Sequence, residues 1–220
     1  MMPANQTERV AVWDPLVRVG HWALVAAFAL TYLSAEEEGA DVPDLLHVWG
    51  GYAVGIIVAV RVLWGFLGPD NARFSEFVRG PVVALRYLVS LLRGQARRYL
   101  GHSPAGGFMV LALLVCLAAT VGTGLVAYGE RGMGPLRGIG EPLAGPNPLA
   151  QVDEKGNSRP AASSRTHERT ESTLAQLHGT LANITLALVI LHILGVALAS
   201  VVHRENLVAA MITGEKRSGD

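Results

Sequence analysis

Residues 174–202 form the feature that most restricts what this chain can fold into. The segment, LAQLHGTLANITLALVILHILGVALASVV, is almost wholly apolar and contains His178 and His192. About 20 apolar residues are enough to cross a bilayer as a helix. Ionisable side chains are costly inside a membrane, so they usually face the interior of a bundle and have a function. The segment therefore predicts a transmembrane helix with two functional histidines.

The spacing of these two histidines restricts the kind of site they can form. They are 14 residues apart, which places them on one helix face but about 21 Å apart along the axis. No single metal ion can contact both side chains over that distance. The spacing instead predicts two separate sites, one near each membrane surface.

The composition agrees with a membrane protein. Of the 220 residues, 50% are hydrophobic and 16% charged, with a mean hydropathy of +0.34. Soluble domains contain about 25% charged residues. The formal net charge is zero, which argues against nucleic acid as a partner. The single cysteine, Cys116, excludes an intrachain disulfide and a thiolate-ligated cluster.

Three further apolar spans complete a predicted bundle of four transmembrane helices. All four should be helical because lipid offers no partners to bare backbone groups. The fold class is therefore an all-α integral membrane protein, with one domain over residues 1–205 and a cytoplasmic tail over 206–220. Ser103 and Pro104 resemble a helix start for the third span. The predicted spans are 16–33, 45–67, 108–128 and 174–202, with a long loop over 129–172.

The second connection contains a further predicted helix over residues 81–94. Its apolar residues recur at helical spacing, with Arg86 and Arg93 offset from them. This pattern is typical of an amphipathic helix on the membrane surface. A soluble helix packed under the bundle explains the pattern equally well.

Basic residues predict the orientation. The short first connection has no Lys or Arg, whereas the second has six arginines and the tail has three basic residues. Basic residues collect on the cytoplasmic side of short loops. We therefore expect both termini in the cytoplasm of a bacterium, the long third loop outside, and the spans in the inner membrane.

With this orientation, four histidines lie in two pairs. The outer pair is His47 with His178, and the inner pair is His21 with His192. Two neutral imidazoles facing each other across a bundle are the axial ligands of a b-type haem. The pattern thus predicts two haems in one chain. The remaining histidines are expected to be solvated: His102, His167 and His203.

Other polar and small residues are candidates for contact with these haems. Arg61 and Arg18 have the geometry to bind a propionate of the inner haem, because an arginine fork pairs well with a carboxylate. Snorkelling to lipid headgroups is the alternative for Arg61. Asn183 is a candidate to hydrogen-bond one of the histidine ligands. Glycines lie near the histidines or in the third span and admit a ring or another helix, although plain packing explains each one: Gly50, Gly51, Gly55, Gly122, Gly124, Gly179 and Gly195.

Four segments give the chain a family resemblance: WDPLVRVGHW (13–22), LLHVWGGY (45–52), LHGTLAN (177–183) and LHILG (191–195). The chain resembles bacterial di-haem cytochromes of the b561 type and the related cytochrome b subunits of membrane-bound hydrogenases. The resemblance implies that His21, His47, His178 and His192 ligate two b haems. It also implies electron transfer between membrane quinone and a redox partner. The hydrogenase subunits usually have a fifth span, which this sequence lacks.

The resulting hypothesis is a cytochrome that passes electrons across the bilayer, from or to quinone, with a periplasmic partner such as a c-type cytochrome. Bis-imidazole ligation leaves no open iron position, which favours electron transfer. One alternative is an anchor subunit of a larger oxidoreductase such as a hydrogenase. Another is an enzyme acting on superoxide or a metal chelate at the outer haem, so the sequence leaves enzymatic activity undecided. Gly51 and Gly55 form a GxxxG pair, which weakly suggests a homodimer.

Overall fold

A computed structural model describes residues 9–35, 45–137 and 162–218, with the backbone alone for residues 162–172. A short 3₁₀ turn, Asp70–Ala72, follows the second helix. The structure confirms the predicted all-α membrane fold, because its described part contains four helices long and apolar enough to cross a bilayer. The elements are β1 (Arg9–Ala11), α1 (Pro15–Leu33), α2 (Leu45–Leu67), α3 (Phe74–Phe77), α4 (Pro81–Leu92), α5 (Pro104–Glu130), α6 (Ala162–Val202), α7 (Leu207–Thr213) and β2 (Glu215–Arg217).

Side-chain caps start two of the spanning helices. Asp14 accepts hydrogen bonds from the backbone N–H groups of Leu16 and Val17, and Pro15 occupies the first turn of α1. Ser103 caps α5 by accepting from Gly106, as its sequence predicts. Because the cap precedes the apolar run, α5 begins at Pro104 rather than at residue 108.

Helices α5 and α6 both extend into the predicted loop over 129–172. Helix α5 continues to Glu130, and α6 begins at Ala162, well before the apolar segment. Residues 162–172, ASSRTHERTES, are polar but include good helix formers, so the helix extends beyond the hydropathy signal that defined the span. The remainder of the predicted loop, residues 138–161, lies outside the described residues.

The predicted tail over 206–220 contains a short helix and a strand. Asn206 caps α7, and Gly214 ends that helix in the left-handed conformation, with φ 86°. The chain then forms β2, which pairs antiparallel with β1 so that Val10 lies opposite Lys216. The two chain ends therefore meet at one end of the bundle, here called the terminal end. The opposite end, where α1 and α5 finish, is the loop end.

The spanning helices pack as a series. Helix α1 packs on α2, α2 on α5, and α5 on α6. Val54 and Val58 of α2 and Leu114 and Leu117 of α5 form the buried core. In the described residues, α6 makes only sparse contact with α1 or α2. The bundle thus leaves α6 set apart from the two helices that carry His21 and His47.

Helix α4 has features of both predicted arrangements, a helix packed against the bundle and an amphipathic helix on the membrane surface. Ala84, Tyr87 and Leu91 are buried, and the helix packs against α5. Its other side exposes apolar residues, including Leu85 and Leu92. An apolar outward face beside a transmembrane bundle fits a helix at the membrane surface.

Candidate functional site

The structure places four histidines in two pairs. At the loop end, the rings of His47 and His178 have centroids 6.0 Å apart, with an angle of 81° between their planes. At the terminal end, the rings of His21 and His192 are 6.4 Å apart and 58° from parallel. These are the pairs that the sequence predicts. We call them the loop-side pair and the terminal-side pair.

Hydrogen bonds to the main chain orient both rings of the loop-side pair. Nδ1 of His47 lies 2.9 Å from the carbonyl oxygen of Thr31, and Nδ1 of His178 lies 2.9 Å from that of Thr120. Because a carbonyl oxygen can only accept, each Nδ1 carries the proton and donates it. Nε2 is therefore the basic nitrogen of each ring, which is the arrangement found in metal-ligating histidines.

Both pairs have the spacing of two axial ligands. With a metal–imidazole bond of about 2 Å on each side and a ring nitrogen about 1 Å from its centroid, the two centroids would lie about 6 Å apart. In the part of the chain described, no three His, Cys, Asp or Glu side chains converge as a metal-binding group. Two ligands alone suit a metal whose other positions a planar macrocycle fills, as in haem.

The terminal-side pair has different surroundings. The ring centroids of His21 and Trp22 are 5.2 Å apart, and the two ring planes are nearly perpendicular. Among the described residues, its buried Nδ1 has no hydrogen-bond partner, and neither do Nε1 of Trp13, Nε of Arg18 and Nη1 of Arg61. Buried donors of this kind are costly when unpaired. Acceptor oxygens such as haem carboxylates would satisfy them, so these residues fit the cofactor.

The two predicted propionate partners each retain an unused N–H group. Arg61 donates to the carbonyl oxygen of Ala72 at 3.4 Å, and its guanidinium lies 5.0 Å from the centroid of the Phe74 ring. The snorkelling alternative would expose the end of Arg61, whereas its Nη1 is buried. Arg18 donates to the carbonyl oxygen of Ile212, which ties α1 to the C-terminal segment.

The other predicted contact residues lie in varied settings. A Cβ added at Gly51 or Gly179 would meet no atom within 4 Å, so both glycines border open space. Asn183 accepts a hydrogen bond from the Tyr32 hydroxyl at 2.8 Å and thus links α6 to α1 rather than to an imidazole. Gly55 faces Val121 of α5 within the chain, which leaves less of the GxxxG face for a second copy.

The prediction that His102 is solvated is wrong, whereas His203 is partly exposed. The His102 ring stacks on the Phe77 ring, with their centroids 4.1 Å apart. It lies nearly perpendicular to the Trp13 ring, with their centroids 4.6 Å apart. Burial, with the positive charges of Arg61 and Lys216 nearby, lowers the pKa of His102 to about 3. His203 shares a 3.2 Å hydrogen bond with the Tyr87 hydroxyl, and burial lowers its pKa. The His167 side chain lies outside the described residues.

A cluster of ion pairs that the sequence did not predict lies at the terminal end. Glu205 pairs with Arg98 and, at 3.9 Å, with Lys216. Lys216 is buried and donates to the carbonyl oxygen of Tyr99. Burial lowers the pKa of Lys216, while Glu205 opposes this effect. The partners come from distant segments, so no local pattern marked them. The cluster holds β2 against the second connection.

A family model described as prokaryotic cytochrome b561 matches residues 12–214. The matched region contains all four spans and all four paired histidines. No curated protein and no solved structure matches the chain.

Proposed function

The chain belongs to the prokaryotic cytochrome b561 family, and from this premise we propose that it binds two b-type haems and passes electrons across the bilayer between quinone and a periplasmic protein. The match confirms the resemblance to b561-type cytochromes, and with it a membrane protein that transfers electrons through b-type haem. The relationship to hydrogenase subunits stays a prediction.

One observation carries the proposal of two haems: a single continuous helix, α6, supplies a histidine to each pair. The two positions are about 21 Å apart along the helix axis. This separation spans most of a hydrocarbon core of about 30 Å. His47 and His178 would hold one haem, and His21 and His192 the other. When bound, each haem iron accepts and releases one electron.

The chain's own residues would orient the cofactors. The carbonyl groups of Thr31 and Thr120 fix the loop-side imidazoles. Arg18 and Arg61 would bind the carboxylates of the terminal-side haem through their unused N–H groups. Both imidazoles of each pair would serve as ligands, which would leave no coordination position for oxygen.

The distribution of basic residues supports the proposed orientation in the membrane. Membership of the family supports the proposed partners. The terminal end contains the arginine-rich second connection, which supports a cytoplasmic location for both termini. The bacterial inner membrane is then the site of action. Quinone would exchange electrons within the bilayer, and a c-type cytochrome would dock at the loop end. Copurification of further subunits would favour the alternative role in a larger oxidoreductase.

Haem analysis of the purified protein tests the proposal. We expect two b haems per chain by pyridine haemochrome, and two reductive transitions in an optical redox titration. In liposomes, a quinol in the membrane should reduce both haems. One haem per chain would contradict the pairing, and a protein that binds no haem on reconstitution would overturn the function.

A further inference from the structure

Gly124 of α5 lies directly against the His178 ring. A Cβ added there would be 2.9 Å from Cε1 and 3.0 Å from Nδ1 of His178. Separations this short do not occur for real Cβ atoms, so the ring would have to move. The missing side chain therefore lets the imidazole reach the α5 backbone, where its Nδ1 lies 2.9 Å from the carbonyl oxygen of Thr120.

Gly50 of α2 has the corresponding role for the other loop-side histidine. A Cβ added at Gly50 would overlap the Thr31 hydroxyl of α1. His47 lies one turn earlier on α2, and its Nδ1 donates to the carbonyl oxygen of Thr31 at 2.9 Å. The close approach of α1 and α2 at Gly50 therefore keeps that carbonyl within reach of His47.

Among the described glycines, none lies against a terminal-side histidine in this way. Gly20 and Gly195 lie near His21 and His192, but a Cβ added at either would meet nothing within 4 Å. Nδ1 of His21 has no hydrogen-bond partner among the described residues. Close glycine contact and main-chain hydrogen bonding thus occur together at the loop-side pair.

We propose that Gly124 and Gly50 are positioning residues for the loop-side haem, because they let a main-chain carbonyl of a neighbouring helix orient each axial imidazole. The inference rests on the proposed function. A ligand that donates its Nδ1 proton is a stronger base, and a stronger base favours ferric over ferrous iron. The two glycines therefore help to set the affinity and the midpoint potential of this haem.

Gly124→Ala tests the inference, with Gly122→Ala as the matched control. Gly122 is in the same helix, about 200° around it, and a Cβ there meets nothing within 4 Å. We expect G124A to release its loop-side haem to apomyoglobin about tenfold faster or more. The potential of that haem should rise by about 30 to 60 mV, which corresponds to a three- to tenfold change at about 59 mV per factor of ten. G122A should match wild type.

A rescue experiment at the second glycine keeps the test valid if G124A folds poorly. Gly50→Ala should raise the loop-side potential, because the new methyl group pushes Thr31 away. Thr31→Ala removes the clashing hydroxyl but keeps the main-chain carbonyl, so T31A alone is the reference against which the double variant is compared. The double variant G50A/T31A should recover most of the wild-type potential. Recovery of this kind is not expected if Gly50 only adds general stability.

The terminal-side haem serves as an internal control for folding. Its retention and unchanged potential in G124A would show that the bundle is intact. A loop-side haem that is unaffected in both G124A and G50A overturns the inference and leaves the proposed function standing. Equal losses of both haems in G124A, without rescue in G50A/T31A, also overturn it. A wild-type protein without a loop-side haem overturns both proposals.

Discussion

The loop-side and terminal-side pairs have similar ring separations, 6.0 and 6.4 Å, but different neighbours. At the loop end, neutral main-chain carbonyls accept a hydrogen bond from each imidazole. At the terminal end, the buried nitrogens that lack a partner within the described part of the chain belong to Trp13, Arg18, Arg61 and the His21 ring. Main-chain carbonyls thus orient one pair, whereas the other pair lies at the end of the bundle that contains these unpaired donors.

This difference shows how one bundle can support two haems with separate properties. Hydrogen bonds from a ligand to the main chain act through the basicity of the imidazole. Cationic donors act through the charge beside the haem carboxylates. We therefore expect the loop-side haem to respond to changes in ligand orientation, and the terminal-side haem to respond to changes in charge.

Removing one histidine from α6 should have the largest effect. His178→Ala should abolish the loop-side haem and keep most of the terminal-side haem, and His192→Ala should do the reverse, because each haem loses one of its two axial ligands. Haem-to-protein ratios and redox titrations of the two variants measure this. If either substitution removes both haems from a folded protein, or removes neither, the assignment of the pairs is wrong.

Charge removal at Arg61 should affect the terminal-side haem more than the loop-side haem. Arg61→Ala leaves a haem carboxylate without a charged donor, and we expect about 10- to 100-fold faster loss of that haem, with a lower potential. Arg61→Lys should be intermediate, since lysine keeps the charge but not the planar fork. Transfer to apomyoglobin gives the rates. Arg93→Ala, an exposed position after α4, is the control and should change neither haem.

His102 should make the terminal end sensitive to acid without being a haem ligand. Its pKa is about 3 in the folded protein against 6.5 ordinarily, so the unfolded chain binds the proton first. The stabilisation from a neutral His102 is complete above about pH 6.5 and is lost as the pH falls towards 3. From pH 7 to pH 5, the loss of unfolding free energy should be at most about 2 kcal/mol.

Thermal unfolding of wild type and His102→Leu at the two pH values measures this loss. The variant should show a smaller decrease in stability between pH 7 and pH 5, and it should bind both haems. Loss of the terminal-side haem in His102→Leu would make His102 a candidate ligand and would contradict the assignment of His21 and His192 to one haem.

The smallest expected effect is a difference between the electron paramagnetic resonance signals of the two haems. The imidazole planes of the loop-side pair are 81° apart and those of the terminal-side pair 58° apart. The electron paramagnetic resonance spectrum of low-spin bis-imidazole iron depends on this angle. We expect two ferric signals, the more anisotropic one from the loop-side haem and therefore absent in His178→Ala. A single shared signal would argue against different ligand geometries at the two sites.

Local patterns in the sequence were enough to predict much of the fold. Hydropathy located all four spans, and the cap at Ser103 marked the start of α5 better than the apolar run did. The polar extension of α6 and the folding of residues 207–217 were missed, because hydropathy does not report helix propensity or pairing with β1. The solvated state predicted for His102 failed for a related reason, since Phe77 and Trp13 are distant from each other in the chain.

The sequence by itself determined the membrane class, the four histidines and their grouping at two depths, because hydropathy and helical periodicity are local properties. The packing of the helices was needed to show which carbonyl each imidazole bonds, which glycines lie against His178 and Thr31, and which described donors remain unpaired at the terminal end. These features depend on contacts between segments far apart in the chain. His178 and Thr120, for example, are separated by 58 residues, and their hydrogen bond exists only because α5 and α6 pack closely.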